Sequence, residues 1–204
     1  MKMQIVSLFM IAGLTATAVA GPLSFDFKDP KGVNNAQFKL DAPLEAISGS
    51  ASGISGTVTF DPANPGATKG TIIVAASSLT VPNAMMKDHM HGNQWLDVAA
   101  HKEITFEAKE LKNVKTADTT TTADAVGTFT LRGVTKEITV PVKLTYLKDK
   151  LGQRMQNAKG DLLVIRANFT IKRSDYGVNP KAPTDKVADE IELTLSIAGA
   201  APQK

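Results

Sequence analysis

Residues 138–146 read Ile-Thr-Val-Pro-Val-Lys-Leu-Thr-Tyr, and this stretch decides the fold class. Ile138, Val140, Val142, Leu144 and Tyr146 are apolar at every second position, while Thr139, Pro141, Lys143 and Thr145 take the other parity. Successive side chains of an extended chain point to opposite faces, so this pattern specifies a strand with one dry side and one wet side. Pro141 has no N–H to donate, which predicts an edge position or a bulge there.

The same period extends outward in both directions. Leu163, Ile165, Ala167, Phe169 and Ile171 form the next apolar face, and Ile191, Leu193, Leu195 and Ile197 form the last one. Toward the N-terminus the faces are Phe129 with Leu131, Ile104 with Phe106 and Ala108, Ile72 with Val74 and Ala76, and Val58 with Phe60. Arg132–Lys136 reads as a tight hairpin connection, Asp61–Gly66 as a turn, Lys148–Gly160 as a charged turn region and 178–188 as a loop. Residues 115–125 are threonine-rich, a loop or the ends of two strands. Gly49, Gly53 and Gly56 punctuate a small-residue segment, as at bends where a sheet curls. The chain is therefore all-β, an antiparallel sandwich or barrel, and periodicity alone does not choose between them.

One stretch breaks the pattern. Met85–Phe106 (MMKDHMHGNQWLDVAAHKEITF) holds all three histidines, the only tryptophan and three of the seven methionines. It does not alternate until about Glu103. We read it as a short helical or irregular excursion around residues 83–98.

The N-terminus carries Lys2, an apolar run from Ile5 to Leu14, and Ala18-Val19-Ala20 before Gly21. This is the pattern of a secretory signal cleaved after Ala20, with a run too short to span a bilayer. Residues 21–204 then form a single domain, expected in the periplasm. The formal charge of +3 is small and unclustered, so it does not point to nucleic acid. With no cysteine in the chain, neither a disulfide nor a lipid-modified cysteine is available. There is no cysteine nucleophile, no G-x-S-x-G elbow and no phosphate-binding glycine loop, so catalysis finds little support.

Three blocks resemble the YceI-like family of secreted bacterial proteins. They are Lys87-Asp88-His89-Met90 through Trp95-Leu96-Asp97-Val98 to Ile104-Thr105-Phe106, then Gly127–Lys136 with Ile138–Val142, then Phe169–Gly177. With Phe60-Asp61-Pro62 they stand in the family's order, and the resemblance covers roughly Phe38 to Ile197. It implies an extended eight-stranded antiparallel, lipocalin-like β-barrel that binds a long apolar chain, such as a polyisoprenoid, inside. The family's N-terminal histidine pattern is missing from Asn35–Glu45, and Trp95-Leu96 stands where the family often has an aromatic pair.

If the apolar faces point inward, Phe106, Phe129, Leu131, Val140, Phe169 and Ile171 line a tube; the alternative is that they pack against one another. Met85, Met86 and Met90 are flexible and polarisable, and with Trp95 and Leu96 they are placed to close one end. Arg173 shares the inward parity of Phe169 and Ile171. It is a candidate for holding a polar or anionic head group, or else for pairing with Asp175. Arg132 is expected to face out. The histidines do not form a helical metal-ligand pair, and no metal is assigned. The expected ligand is an isoprenoid or other amphiphilic lipid, with no other cofactor and no nucleic acid. Transient membrane contact and a homodimer are further expectations. The alternatives are a lipid-modifying or metal-dependent enzyme on the same barrel, or a stress-related structural protein without a ligand.

Overall fold

The computed structural model describes residues 21–203; the expected signal, residues 1–20, lies outside the described residues. The strands are β1 (Leu23–Asp26), β2 (Asn35–Asp41), β3 (Ala46–Ala51), β4 (Ile54–Phe60), β5 (Lys69–Ala75), β6 (Leu79–Thr80), β7 (Glu103–Ala117), β8 (Thr120–Leu131), β9 (Val134–Leu147), β10 (Gly160–Lys172) and β11 (Glu190–Pro202). Two short helices, α1 (Ala84–His91) and α2 (Leu151–Arg154), interrupt them. All pairings are antiparallel, in the order β1-β4-β5-β7-β8-β9-β10-β11, and a β1–β11 contact at Asp26↔Ala200 closes the ring.

Eleven strands fill eight positions because three positions are broken in two. β1 and β2 lie end to end along β11, which pairs at Ala200 with the first and at Glu192–Ser196 with the second. β3 and β4 continue one another beside them, paired to β2 and β1. β5 and β6 form the third broken position, paired to β4 and β3. This is the closed eight-stranded barrel that the resemblance implied, and closure removes the exposed edges of an open sheet.

Local chemistry explains the breaks. Between β1 and β2 the buried Asn34 side chain replaces the missing ladder. Its amide donates to the carbonyls of Phe27 (3.0 Å) and Ala198 (3.1 Å), and its carbonyl accepts from Ala198 N–H (2.9 Å). Asp29 holds the same loop by accepting from the N–H groups of Lys31, Val33 and Asn34, and Arg154 of α2 reaches Asp29 at 3.0 Å. At Gly49 the ring of Phe38 and the carbonyl of Thr80 lie where a Cβ would stand, so only glycine lets the strands approach so closely. The threonine-rich segment is the ends of two strands, since β7 and β8 run through it to a two-residue turn at Asp118–Thr119. β-branched residues suit such a ribbon. The Arg132–Gly133 turn has φ of 50° and 73°, the left-handed pair that a two-residue hairpin needs.

One end of the barrel is solid. Phe25, Phe27, Phe60, Leu163 and Ile197 pack there with Tyr146, whose ring centroid lies 5.9 Å from Phe60 and 6.3 Å from Phe25. The Tyr146 hydroxyl donates to Asp161 at 2.6 Å, and Asp161 also accepts from Asp149 N–H at 2.8 Å. Burial, then this bond to a carboxylate, pushes the Tyr146 hydroxyl well above the usual phenol range. The phenol is therefore a fixed neutral donor.

Candidate functional site

Beyond the solid end the inward faces do not meet. They enclose a cavity of about 390 Å³ that extends from the layer of Ile72, Leu144 and Ile165 to the excursion. Its volume lies in the range of small-molecule sites, roughly 300–1,000 Å³. The burial pattern agrees. Phe169, Ile191, Leu193 and Leu195 share the parity of fully buried neighbours, yet they are only half-buried because they face open space.

Eleven of the twelve candidate residues border this space. Met86, Met90, Trp95 and Leu96 come from the excursion, Phe106 from β7, Phe129 and Leu131 from β8, Val140 from β9, and Phe169, Ile171 and Arg173 from β10 and the turn after it. Met85 does not; it is 69% exposed. Periodicity is the reason. Residues 84–91 are a true α-helix, opened by Asn83, whose side chain accepts from Met86 N–H at 2.9 Å. At about 100° per residue, Met86, His89 and Met90 share the inner face and Met85 turns away.

After α1 the chain folds back. Leu96 N–H donates to Met90 O at 3.0 Å and Val98 N–H to His91 O at 3.1 Å, which turns Trp95 and Leu96 toward the cavity. The excursion also seals the wall. β6 pairs with β3 but not with β7, and residues 81–102 fill that gap. A His91 ring nitrogen bonds Leu79 O at 2.8 Å, and Ala76 N–H donates to Lys102 O at 2.8 Å.

Two arginine expectations are corrected. Arg173 is 1% exposed and does not pair with Asp175. Its guanidinium donates to five backbone carbonyls of the 178–188 segment: Ala188 (3.0 Å), Val178 (3.3 Å), Asn179, Ala182 (2.9 Å) and Val187 (3.1 Å). Its N–H groups are thus spent on chain carbonyls, which leaves no free fork for a head group. It ties the 178–188 segment to the end of β10. Arg132, expected to face out, folds back instead. It donates to Asn93 O at 2.7 Å and Gly177 O at 2.9 Å.

These contacts bring the three quoted sequence blocks together at one end of the barrel. Arg132 in the β8–β9 turn joins the excursion to the turn after β10, and the His101 ring lies against Gly133, where a Cβ would stand 2.7 Å from it. Asp189 belongs to the same cluster. Burial raises its carboxyl pKa, but the Ser174 hydroxyl (2.8 Å) and N–H (3.0 Å), with Arg173 and Lys172, outweigh this and hold it below the usual value. The three histidines have separate surroundings: His89 borders the cavity, His91 bonds β6 and His101 covers the turn. Among the described residues no group of three or more His, Asp and Glu is arranged to hold a metal ion.

Phe38, Leu40 and Ile47 also line the cavity and were not singled out from the sequence, and Val74, read there only as part of an apolar strand face, lines it too. Phe38 and Leu40 do alternate, but Pro43 and the glycines obscured the strand. Their inward direction depends on pairing β2 with β11, more than 150 residues away.

Fold and site together define a class: small antiparallel barrels built around an internal apolar cavity. Within it, the chain belongs to the YceI-like family, whose domain is matched over residues 29–199. A UPF0312 protein of Yersinia pestis is 32% identical over 151 residues, 74% of this chain and 72% of that protein. A UPF0312 protein of Pseudomonas paraeruginosa is 32% identical over 144 residues, 71% of this chain and 69% of that one. Among solved structures, Burkholderia cenocepacia BcnA shares the fold at a TM-score of 0.65 and 20% identity, covering 81% of this chain and 95% of BcnA. A polyisoprenoid binding domain from Saccharophagus degradans, implicated in plant cell wall breakdown, shares it at 0.63 and 11%, covering 88% and 99%.

Proposed function

We propose that this protein is an exported lipid-binding protein that sequesters or carries a long apolar chain inside its barrel. The ligand class is a polyisoprenoid, an isoprenoid quinone or a fatty-acid-like amphiphile. The observation that carries this reading is the cavity itself, walled by Val, Ile, Leu, Phe and Met and stopped at one end by the Phe25–Phe60–Tyr146 cluster. Each buried CH₂ of a guest stabilises the complex by roughly 0.8 kcal/mol, so ten such groups contribute about 8 kcal/mol before ordering costs. The tail lies toward the solid end and the polar end lies near α1, where His89 and Glu45 border the cavity. The function is reversible binding and not catalysis. The likeness to a polyisoprenoid binding domain supports the ligand class.

The test is solvent extraction of protein purified from its native host, followed by mass spectrometry. One equivalent of an apolar-chain lipid is expected; a preparation that contains none and takes up none on titration would refute the reading. Export to the periplasm, with cleavage after Ala20, is part of the same proposal. Sequencing of the mature N-terminus checks it, with Gly21 as the expected first residue.

A further inference from the structure

We infer that the barrel wall has a lateral slot between β9 and β10 through which the apolar chain reaches the cavity. This rests on the proposed lipid-binding function and adds the route. β9 and β10 pair only from Leu147↔Leu162 to Val142↔Ala167. Beyond that point β9 continues to Val134 paired with β8 alone, and β10 continues to Lys172 paired with β11 alone. No residue of 134–141 is paired with one of 168–172; the last pair of the ladder is Val142↔Ala167. The ladder stops where Pro141 would face Asn168, at a residue with no N–H. The sequence therefore writes the slot into the wall. From Pro141 back to Lys136 it runs five residues, about 17 Å at 3.3 Å per residue.

The slot opens onto the cavity. Val140 on one side and Phe169 and Ile171 on the other all line it. Ile138 and Phe169 are half-buried, and Phe169 meets Phe129 edge to face at 6.1 Å between ring centroids. These are rotatable apolar side chains over an opening, without backbone bonds to break. The wall's other interruption, between β6 and β7, is filled by the excursion and tied by hydrogen bonds. At the slot's far end Arg132 donates to Gly177 O at 2.9 Å, and along its length Lys136 pairs with Asp175 at 3.0 Å, with the Lys136 ammonium 5.8 Å from the Tyr176 ring centre. Both side chains of the Lys136–Asp175 pair are exposed, so this latch is weak and screened by salt.

The chain lacks cysteine, so a pair can be introduced without competition. Thr139→Cys with Thr170→Cys places one thiol on each lip at exposed positions facing each other in continued register. The lips are joined by a short, reducible bifunctional thiosulfonate, and exchange of N-phenylnaphthylamine is followed by stopped flow. Joining the lips is expected to slow uptake and release together by about tenfold while the equilibrium affinity holds, and reduction restores both rates. Lys136→Gln is expected to speed exchange severalfold and to remove its acceleration by salt. Exchange at unchanged rates with the lips joined, in a protein that still binds the probe, would overturn the slot. A reduced protein that binds neither this probe nor hexadecanol would overturn the lipid-binding reading beneath it.

Discussion

The substitution Ala167→Phe separates a hollow interior from a packed one. Ala167 is buried on β10, paired with Val142 and Leu195, and its side chain borders the cavity. In a filled core, a ring inserted at this point would displace neighbours and cost about 1–3 kcal/mol. Over a void of about 390 Å³, it is buried without displacing anything. Burial of a phenylalanine side chain contributes about 1.5–3 kcal/mol, part of which is lost to fixing its rotamer. The apo protein is therefore expected to gain about 1 kcal/mol in urea denaturation. The ligand must lose what the ring occupies. Displacing four methylenes costs about 3 kcal/mol, roughly a hundredfold in Kd. Hexadecanol competing against N-phenylnaphthylamine measures this, and Trp95, the single tryptophan and a lining residue, reports occupancy through its fluorescence. Destabilisation by 1 kcal/mol or more, with hexadecanol affinity unchanged, would refute the hollow.

Arg173→Met removes the donors of five carbonyls at once and is expected to destabilise the protein by about 3–5 kcal/mol, with hydrogen exchange rising first in 178–188. Asp189 and Asp29 both have carboxyl pKa values below the ordinary 3.8, so each contributes stability that is present above that pH and lost as pH falls below it. Urea midpoints should fall as pH is lowered through about 4, and Asp189→Asn should flatten that fall. Met86→Ala is expected to weaken probe binding and Met85→Ala to leave it unchanged; titration of the two checks which face of α1 the ligand meets. Tyr146→Phe, which leaves Asp161 one donor short, is expected to cost about 1–2 kcal/mol in thermal or urea unfolding without altering probe affinity.

By itself the sequence determined what depends on near neighbours. Alternation at 138–146, 163–171 and 191–197 placed strands and told their dry sides from their wet ones, because side-chain direction follows from backbone geometry. The Arg132–Gly133 turn and the non-alternating excursion were legible for the same reason. Only the tertiary structure decided what these parts face. Closure through Asp26 and Ala200, three positions shared by broken strands, and a void in place of a packed centre all depend on pairings across most of the chain. Met85 and Met86 are neighbours in the chain, yet the seating of one helix turn against the barrel separates them. Arg173 had the parity of a ligand contact, but the carbonyls of a loop that begins five residues later took all its donors. Pro141 announced a missing N–H, and the fold turned it into the place where two strands part, because a ladder ends where the partner strand finds no donor.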